Sequence, residues 1–251
     1  MMKLSIFRQF FVFLLCLVLP GQAVQAAASL LISPINPVIE SGRNAGAVWV
    51  ENRGDSPVLL QARVFAWQQE EGEDRHSPQN TIVASPPMVE IAGGSRQIVR
   101  FVRDSVAQQE GEVAYRILLD EVPIQTPASE EGERAAPAPG VQFRLRYSLP
   151  LFVYGNQNSA SLQPQLQCAI IRENGRHRLE IRNTGSMHAR LVDAALVQDE
   201  GRTPVGKGLL GYALSGSTLR VPLADGVIPG SLSVTVNEAT QPLTLPACTM
   251  Q

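Results

Sequence analysis

The chain has 251 residues, 44% hydrophobic and 18% charged, with a formal net charge of −2. That near-neutral balance carries no electrostatic footprint for nucleic acid or an anionic membrane, and the hydrophobic fraction excludes global disorder. The 20 glycines and 18 prolines interrupt the chain too often for long helical bundles and favour short elements joined by turns.

Lys3 and Arg8 precede an apolar run over 10–19, then Pro20-Gly21 and Val24-Gln25-Ala26. A positive start, a short apolar stretch and a small-residue site predict a secretory signal peptide over 1–26. The run is too short to span a bilayer. Cys16, between Leu15 and Leu17, lacks the small neighbours of a lipid-attachment site. No second apolar run follows, so an exported, soluble chain without membrane insertion is expected. Only Cys168 and Cys248 then remain. An even pair in an exported chain reads as one disulfide. It closes a loop of about eighty residues, worth on the order of 4–5 kcal/mol as an upper figure.

Strand signals fill the rest. Residues 47–52 alternate and meet the turn cluster Gly54-Asp55-Ser56-Pro57. Residues 58–67 set Leu60, Ala62, Val64 and Ala66 on one face. The acidic, polar stretch 69–80 reads as a loop. Ser85-Pro86-Pro87 fixes an extended corner. Strands follow over 96–102, 115–122 and 141–153. Between the last two, 126–140 holds three prolines and Glu130-Glu131-Gly132-Glu133. Such a composition cannot bury apolar area and is expected to be mobile. A polar linker over 155–160 precedes a second series, starting near Leu162 and continuing at 178–182, 191–197, 218–223, 231–236 and 243–248. Asn183-Thr184-Gly185-Ser186 is a turn within it.

About seven strands, a linker and about six more predict an all-β chain. Two immunoglobulin-like β-sandwich domains in tandem fit, over 27–154 and 161–251. A parallel sheet is disfavoured, because no helices separate the strands.

Signals for enzyme chemistry are absent. His76, His177 and His188 are scattered, with no HExxH or CxxC spacing, so no metal or other cofactor is expected. Gly206-Lys207-Gly208 lacks the Gly-rich approach of a phosphate loop. Ser215-Gly216-Ser217 lacks the strand–turn–helix setting of a nucleophile. No acid/base pair emerges.

The segment 141–148 is different. Val141, Phe143, Leu145 and Tyr147 share one face; Gln142, Arg144, Arg146 and Ser148 share the other. It closes the first series, and closing strands are commonly edges. A long edge with a clean apolar row aggregates unless something pairs with it. Lending that strand to a partner's open sheet is one established use of such an edge.

With these stretches in view, the chain resembles the periplasmic pilus-assembly chaperones of chaperone–usher systems. Val48 with the strand to Asn52 is similar to the family's second strand. Ala84-Ser85-Pro86-Pro87 and Gly94-Ser95-Arg96-Gln97-Ile98-Val99-Arg100 resemble its proline corner and G-x-x-Q-x-x-R strand. Glu121-Val122-Pro123 resembles its E-I-P ending, and 141–153 its donor strand. Leu179-Glu180-Ile181-Arg182-Asn183-Thr184-Gly185 and 211–218 resemble its second domain.

The resemblance implies two immunoglobulin-like domains set in an L, and no ATP. It implies a donor strand filling the open groove of a pilus subunit with Val141, Phe143, Leu145 and Tyr147. Handover to an outer-membrane usher follows. In the family an Arg on the first strand and a Lys on the donor strand hold the subunit's terminal carboxylate. Those positions align here with Asn36 and the neighbourhood of Pro150, and residues 27–154 contain no lysine. This departure resembles the archaic branch, and Arg116 is expected as the anchor, with Arg144 and Arg146 as alternatives. The resemblance further implies an interdomain charge cluster of Arg100, Glu121 and Glu238. The competing readings are an exported two-domain fimbrial adhesin or carbohydrate-binding pilus component, and a secreted β-sandwich hydrolase.

Overall fold

The computed structural model describes residues 30–103, 111–124, 144–155, 161–198, 201–224, 226 and 229–250. The expected signal peptide, the acidic stretch 126–140, Val141, Phe143 and linker residues 156–160 lie outside them. Among the described residues there is no α-helix.

Among the described residues the first half contains ten strands: β1 (Leu30–Ser33), β2 (Val38–Ile39), β3 (Ala45–Asn52), β4 (Val58–Glu70), β5 (Glu73–Pro78), β6 (Ile82–Ser85), β7 (Met88–Ile91), β8 (Arg96–Arg103), β9 (Glu112–Val122) and β10 (Arg146–Tyr154). They form one sheet in the order β1-β3-β8-β6 and another in the order β2-β10-β9-β4-β5, with β7 on β4. The second half contains β11 (Leu166–Glu173), β12 (Arg176–Asn183), β13 (Ala189–Gln198), β14 (Gly201–Pro204), β15 (Leu209–Ala213), β16 (Thr218–Pro222), β17 (Ser231–Val236), β18 (Leu243–Ala247) and β19 (Thr249–Met250). Its sheets run β16-β12-β11-β19 and β14-β13-β17-β18, with β15 on β13.

Each half buries its own core between two sheets. Val48, Val50, Leu60, Val99, Phe101, Ile117 and Leu119 centre the first; Leu179, Ile181, Leu191, Leu196, Leu232 and Val234 centre the second. The period-two residues of each strand supply these side chains. Cys168 and Cys248 are bonded to each other, tying β11 to the end of the chain.

The strands are more numerous than expected, and one stretch changes class. Residues 69–80 were expected as a loop. Instead β4 runs to Glu70 and turns through Glu71 and Gly72, both at positive φ (52° and 82°). It returns as β5 with Gln69 opposite Asp74 and Trp67 opposite His76. Two residues at positive φ form the tight connection whose twist matches antiparallel strands. Because every β5 residue is exposed, its polarity looked loop-like. A Cβ on Gly72 would meet the Arg220 stem at 2.6 Å, so packing as well as φ requires glycine there. Among the described residues the closing strand begins at Arg146, and β9 starts at Glu112 rather than 115.

The same turn lock occurs in both halves. Asn52 Nδ2 donates to the carbonyls of Ser56 (2.8 Å) and Ile91 (3.0 Å), while its Oδ1 accepts from Gly54 N–H (3.0 Å). Asn183 donates to Met187 O (2.7 Å) and Ala213 O (3.0 Å) and accepts from Gly185 N–H (3.0 Å). Both asparagines are fully buried. Replacing either by alanine strands several buried backbone groups. Urea unfolding of Asn52→Ala or Asn183→Ala should therefore show a loss of about 2–4 kcal/mol. A loss below about 0.5 kcal/mol would mean that water replaces these bonds freely.

Candidate functional site

The candidate site lies along β10. One side of β10 pairs with β9 from Arg146 opposite Asp120 to Tyr154 opposite Glu112. The other side meets β2 only at Phe152 and Val153. Phe152 N–H donates outward to Pro37 O (3.3 Å), whereas Leu145 O accepts inward from Glu121 N–H (3.1 Å). Strand alternation therefore turns the N–H and C=O of Arg146 and Ser148 to the outer side, where no described strand pairs with them. Pro150 sits on the same outer side and lacks an N–H, as suits an edge.

The apolar row of this strand passes from inside to outside. Leu151 and Val153 are buried in the first core, Leu149 is 6% exposed, Tyr147 is half-buried and Leu145 is 43% exposed. Tyr147 bonds the backbone of Leu30, and burial, reinforced by the charge of Glu121, raises its hydroxyl pKa. Burial likewise raises the Glu121 carboxyl, whose Oε1 has no partner.

Arg116 projects from the opposite face of the same sheet, with Pro150 on one side in register and Phe65 on the other. Its side chain is only 11% exposed. The guanidinium lies 3.7 Å over the Trp67 ring, and Nη2 reaches Asp74 Oδ2 at 3.4 Å. Nε is buried without a partner. Burial pushes the Arg116 pKa below its ordinary value, against the pull of Asp74. It remains a cation with spare donors on an aromatic shelf.

The second half packs onto this face. Phe152, Ala114 and Trp67 lie side by side in register and are covered by Tyr212 and Leu214. The His188 ring stacks on Phe152 at 3.5 Å, and its Nδ1 lies 2.7 Å from Glu112 Oε2. Glu112 Oε1 also accepts from His188 N–H (3.0 Å). The Gln69 amide donates to Tyr212 O (2.8 Å) and accepts from Leu214 N–H (2.9 Å). Arg220 Nη1 donates to Glu71 O (3.0 Å), and Tyr212 O–H donates to Asn36 Oδ1 (3.1 Å). A cleft of about 410 Å³ opens here between Trp67, Glu112, Leu214 and Ser215.

The expected interdomain cluster is corrected by this arrangement. No ion pair joins Arg100, Glu121 and Glu238. Arg100 is exposed on β8, in the sheet away from the contact. Glu121 lies nine residues from Glu112 along β9, roughly 30 Å toward the far end. Glu238 alone lies close by, where its charge acts on Tyr154 and Tyr212. Glu112, His188, Gln69 and Arg220 make the contacts instead. Trp67 was legible as the last residue of the expected strand 58–67, whereas Gln69 was expected in the loop 69–80. Glu112 and His188, 76 residues apart, left no local pattern.

Asp120 accepts from Arg63 Nη2 (2.6 Å) and from Arg146 Nε. Burial alone would raise its carboxyl pKa, but the hydrogen bonds from Arg146 and Arg63 outweigh burial and hold it below the ordinary value of 3.8. A depressed folded-state pKa stabilises the fold above the unfolded value and loses that contribution as pH falls through the folded one. The stability difference between wild type and Asp120→Asn should thus be constant above about pH 5 and shrink below about pH 4. A difference that does not change over that range would overturn the assignment.

Comparison with known proteins agrees with this geometry. Residues 30–156 match the pili and flagellar-assembly chaperone family model, PapD N-terminal domain. The chaperone CsuC, in its pre-assembly complex with the tip adhesion subunit CsuE of archaic chaperone–usher Csu pili from Acinetobacter baumannii, is 28% identical. Its TM-score is 0.69, over 89% of this chain and 100% of that one. The Pseudomonas aeruginosa CupB2 chaperone shares the fold at 17% identity and TM-score 0.59, over 87% and 100% of the two chains. The Salmonella enterica SafA pilin–SafB chaperone complex does so at 14% and 0.58, over 88% and 96%. None of the curated proteins matches. The family is not an enzyme family, which sets the hydrolase reading aside. With half its length matched by that model and two β-sandwiches of the same build, the chain belongs to the pilus-assembly chaperones.

Proposed function

We propose that this protein is a periplasmic chaperone that captures a pilus subunit by lending it β10. It holds the subunit folded without ATP and passes it to an outer-membrane usher. The observation that carries this reading is the open side of β10. Its apolar row is buried from Leu149 onward and uncovered at Leu145. A subunit that lacks a strand supplies what the edge lacks, namely a neighbour for its N–H and C=O groups and a groove for its side chains. Val141, Phe143, Leu145 and Tyr147 are the donor side chains in this reading. Each one fully buried contributes about 1.5–3 kcal/mol from transfer, before the cost of association. CsuC, the relative at 28% identity, is known bound to a subunit.

Arg116 anchors the subunit's terminal carboxylate in the same proposal. It stands opposite Pro150, has an unpartnered Nε, and is held in place by Trp67. A desolvated guanidinium suits bidentate carboxylate capture. The putting together of subunit, chaperone and usher belongs to the periplasm, which the amino-terminal export signal supports.

Two tests follow. Phe143→Asp with Leu145→Asp should leave circular dichroism and solubility unchanged. It should abolish recovery of a co-expressed pilus subunit in a periplasmic pull-down. Undiminished recovery would refute the donor role. Arg116→Ala should cut subunit capture by at least about tenfold, as expected for loss of a partly buried charge-assisted contact. Capture within about twofold of wild type would move the anchor to Arg144 or Arg146.

A further inference from the structure

The cross-strand charges at the open edge stop one place short of neutrality. On the outer face of the sheet, Asp120 of β9 stands directly opposite Arg146 of β10. Arg63 of β4 reaches Asp120 diagonally, from its place opposite Leu118. The signs run plus, minus, plus toward the edge, with one carboxylate serving two guanidinium groups. Arg146 uses its Nε on Asp120 and is 62% exposed, and no second acid among the described residues pairs with it. Arg144, two residues earlier, is exposed as well. The other face of this edge is apolar, with Leu145 and Tyr147. A strand laid beside β10 therefore meets apolar groups on one face and uncompensated positive charge on the other.

We infer that the captured strand carries an acidic side chain about four residues before its terminal carboxylate, held by Arg146. This rests on the reading that Arg116 holds the carboxylate. Arg116 stands opposite Pro150, and β2 already occupies the edge at Phe152 and Val153. A strand ending at Pro150 can extend only toward Arg146, and so it runs parallel to β10. Arg146 lies four residues before Pro150, about 13 Å along the strand. An even spacing returns the side chain to the same face. Glutamate or aspartate there continues the series as plus, minus, plus, minus. Lysine or arginine places like charges side by side, which destabilises a cross-strand pair. The subunit chemistry selected is thus an amphipathic terminal strand, apolar on one face and acidic on the other.

The test uses the full chain and fluorescein-labelled synthetic peptides of roughly a dozen residues, long enough to cover the edge. They alternate valine and threonine and end in a free carboxylate, with glutamate or lysine four residues before the end. A third peptide carries glutamate and an amidated end. By fluorescence anisotropy the glutamate peptide should bind about five- to twentyfold more tightly than the lysine peptide. With Arg146→Glu the preference should reverse. Arg146→Ser, which adds no repulsion against Asp120, should erase it. Amidation should weaken binding to the wild type. Loss on amidation without discrimination between glutamate and lysine overturns this inference and leaves the Arg116 anchor standing. Discrimination without loss on amidation overturns the anchor and leaves the acidic contact standing.

Discussion

The pairing of β10 with β9 carries the rest of the site. It runs without a bulge from Arg146 to Tyr154, and β9 is fixed in turn by β4. Register decides which face every side chain takes, and a slip of one residue would exchange the two faces. Held in this register, Leu149, Leu151 and Val153 enter the core and leave Leu145 as the outer member of the same row. Pro150 comes level with Arg116, and Arg146 with Asp120. One side of the strand is spent on making the chaperone's own sheet. The other side meets β2 at Phe152 and Val153 and, among the described strands, has no neighbour at Arg146 and Ser148.

The second half of the molecule acts on this strand from behind. Phe152 lies under the stacked ring of His188, and Glu112 is sealed in by the two bonds it makes to His188. A buried carboxylate needs such partners, since removing one leaves an uncompensated group. The β4–β5 hairpin adds a second hold, through Gln69 and the Glu71 carbonyl. The shelf of Trp67 beneath Arg116 is therefore shaped by both halves, with Tyr212 closing it at 5.4 Å between ring centroids.

Much of the fold was legible in the sequence because its signals are local. Alternation marked 231–236 to the residue, and the disulfide pairing followed from two cysteines in an exported chain. Hairpin β5 was missed because a strand exposed on both faces carries no hydrophobic period, and its turn signal was the pair Glu71-Gly72 alone. The alternation of 141–148 was visible, and so was the place of Arg116 on its strand. What surrounds Arg116 was not visible. Trp67 and Asp74 come from the two arms of the β4–β5 hairpin and Tyr212 from the second half, and only the packing of the two halves brings all three together. The interdomain contacts failed in the same way. A resemblance transferred Arg100 and Glu121 by position, whereas this chain meets the need with a His–Glu pair that no short motif announces.

The two residues of β2 have a consequence out of proportion to their length. By covering Phe152 and Val153 in parallel, they block the edge just beyond Pro150. A guest polypeptide can line up along the open stretch but cannot continue straight past it. It must either stop or leave the sheet. On the proposed reading, a guest that ends level with Pro150 fits this edge without a detour, whereas a segment in mid-chain must turn away from it.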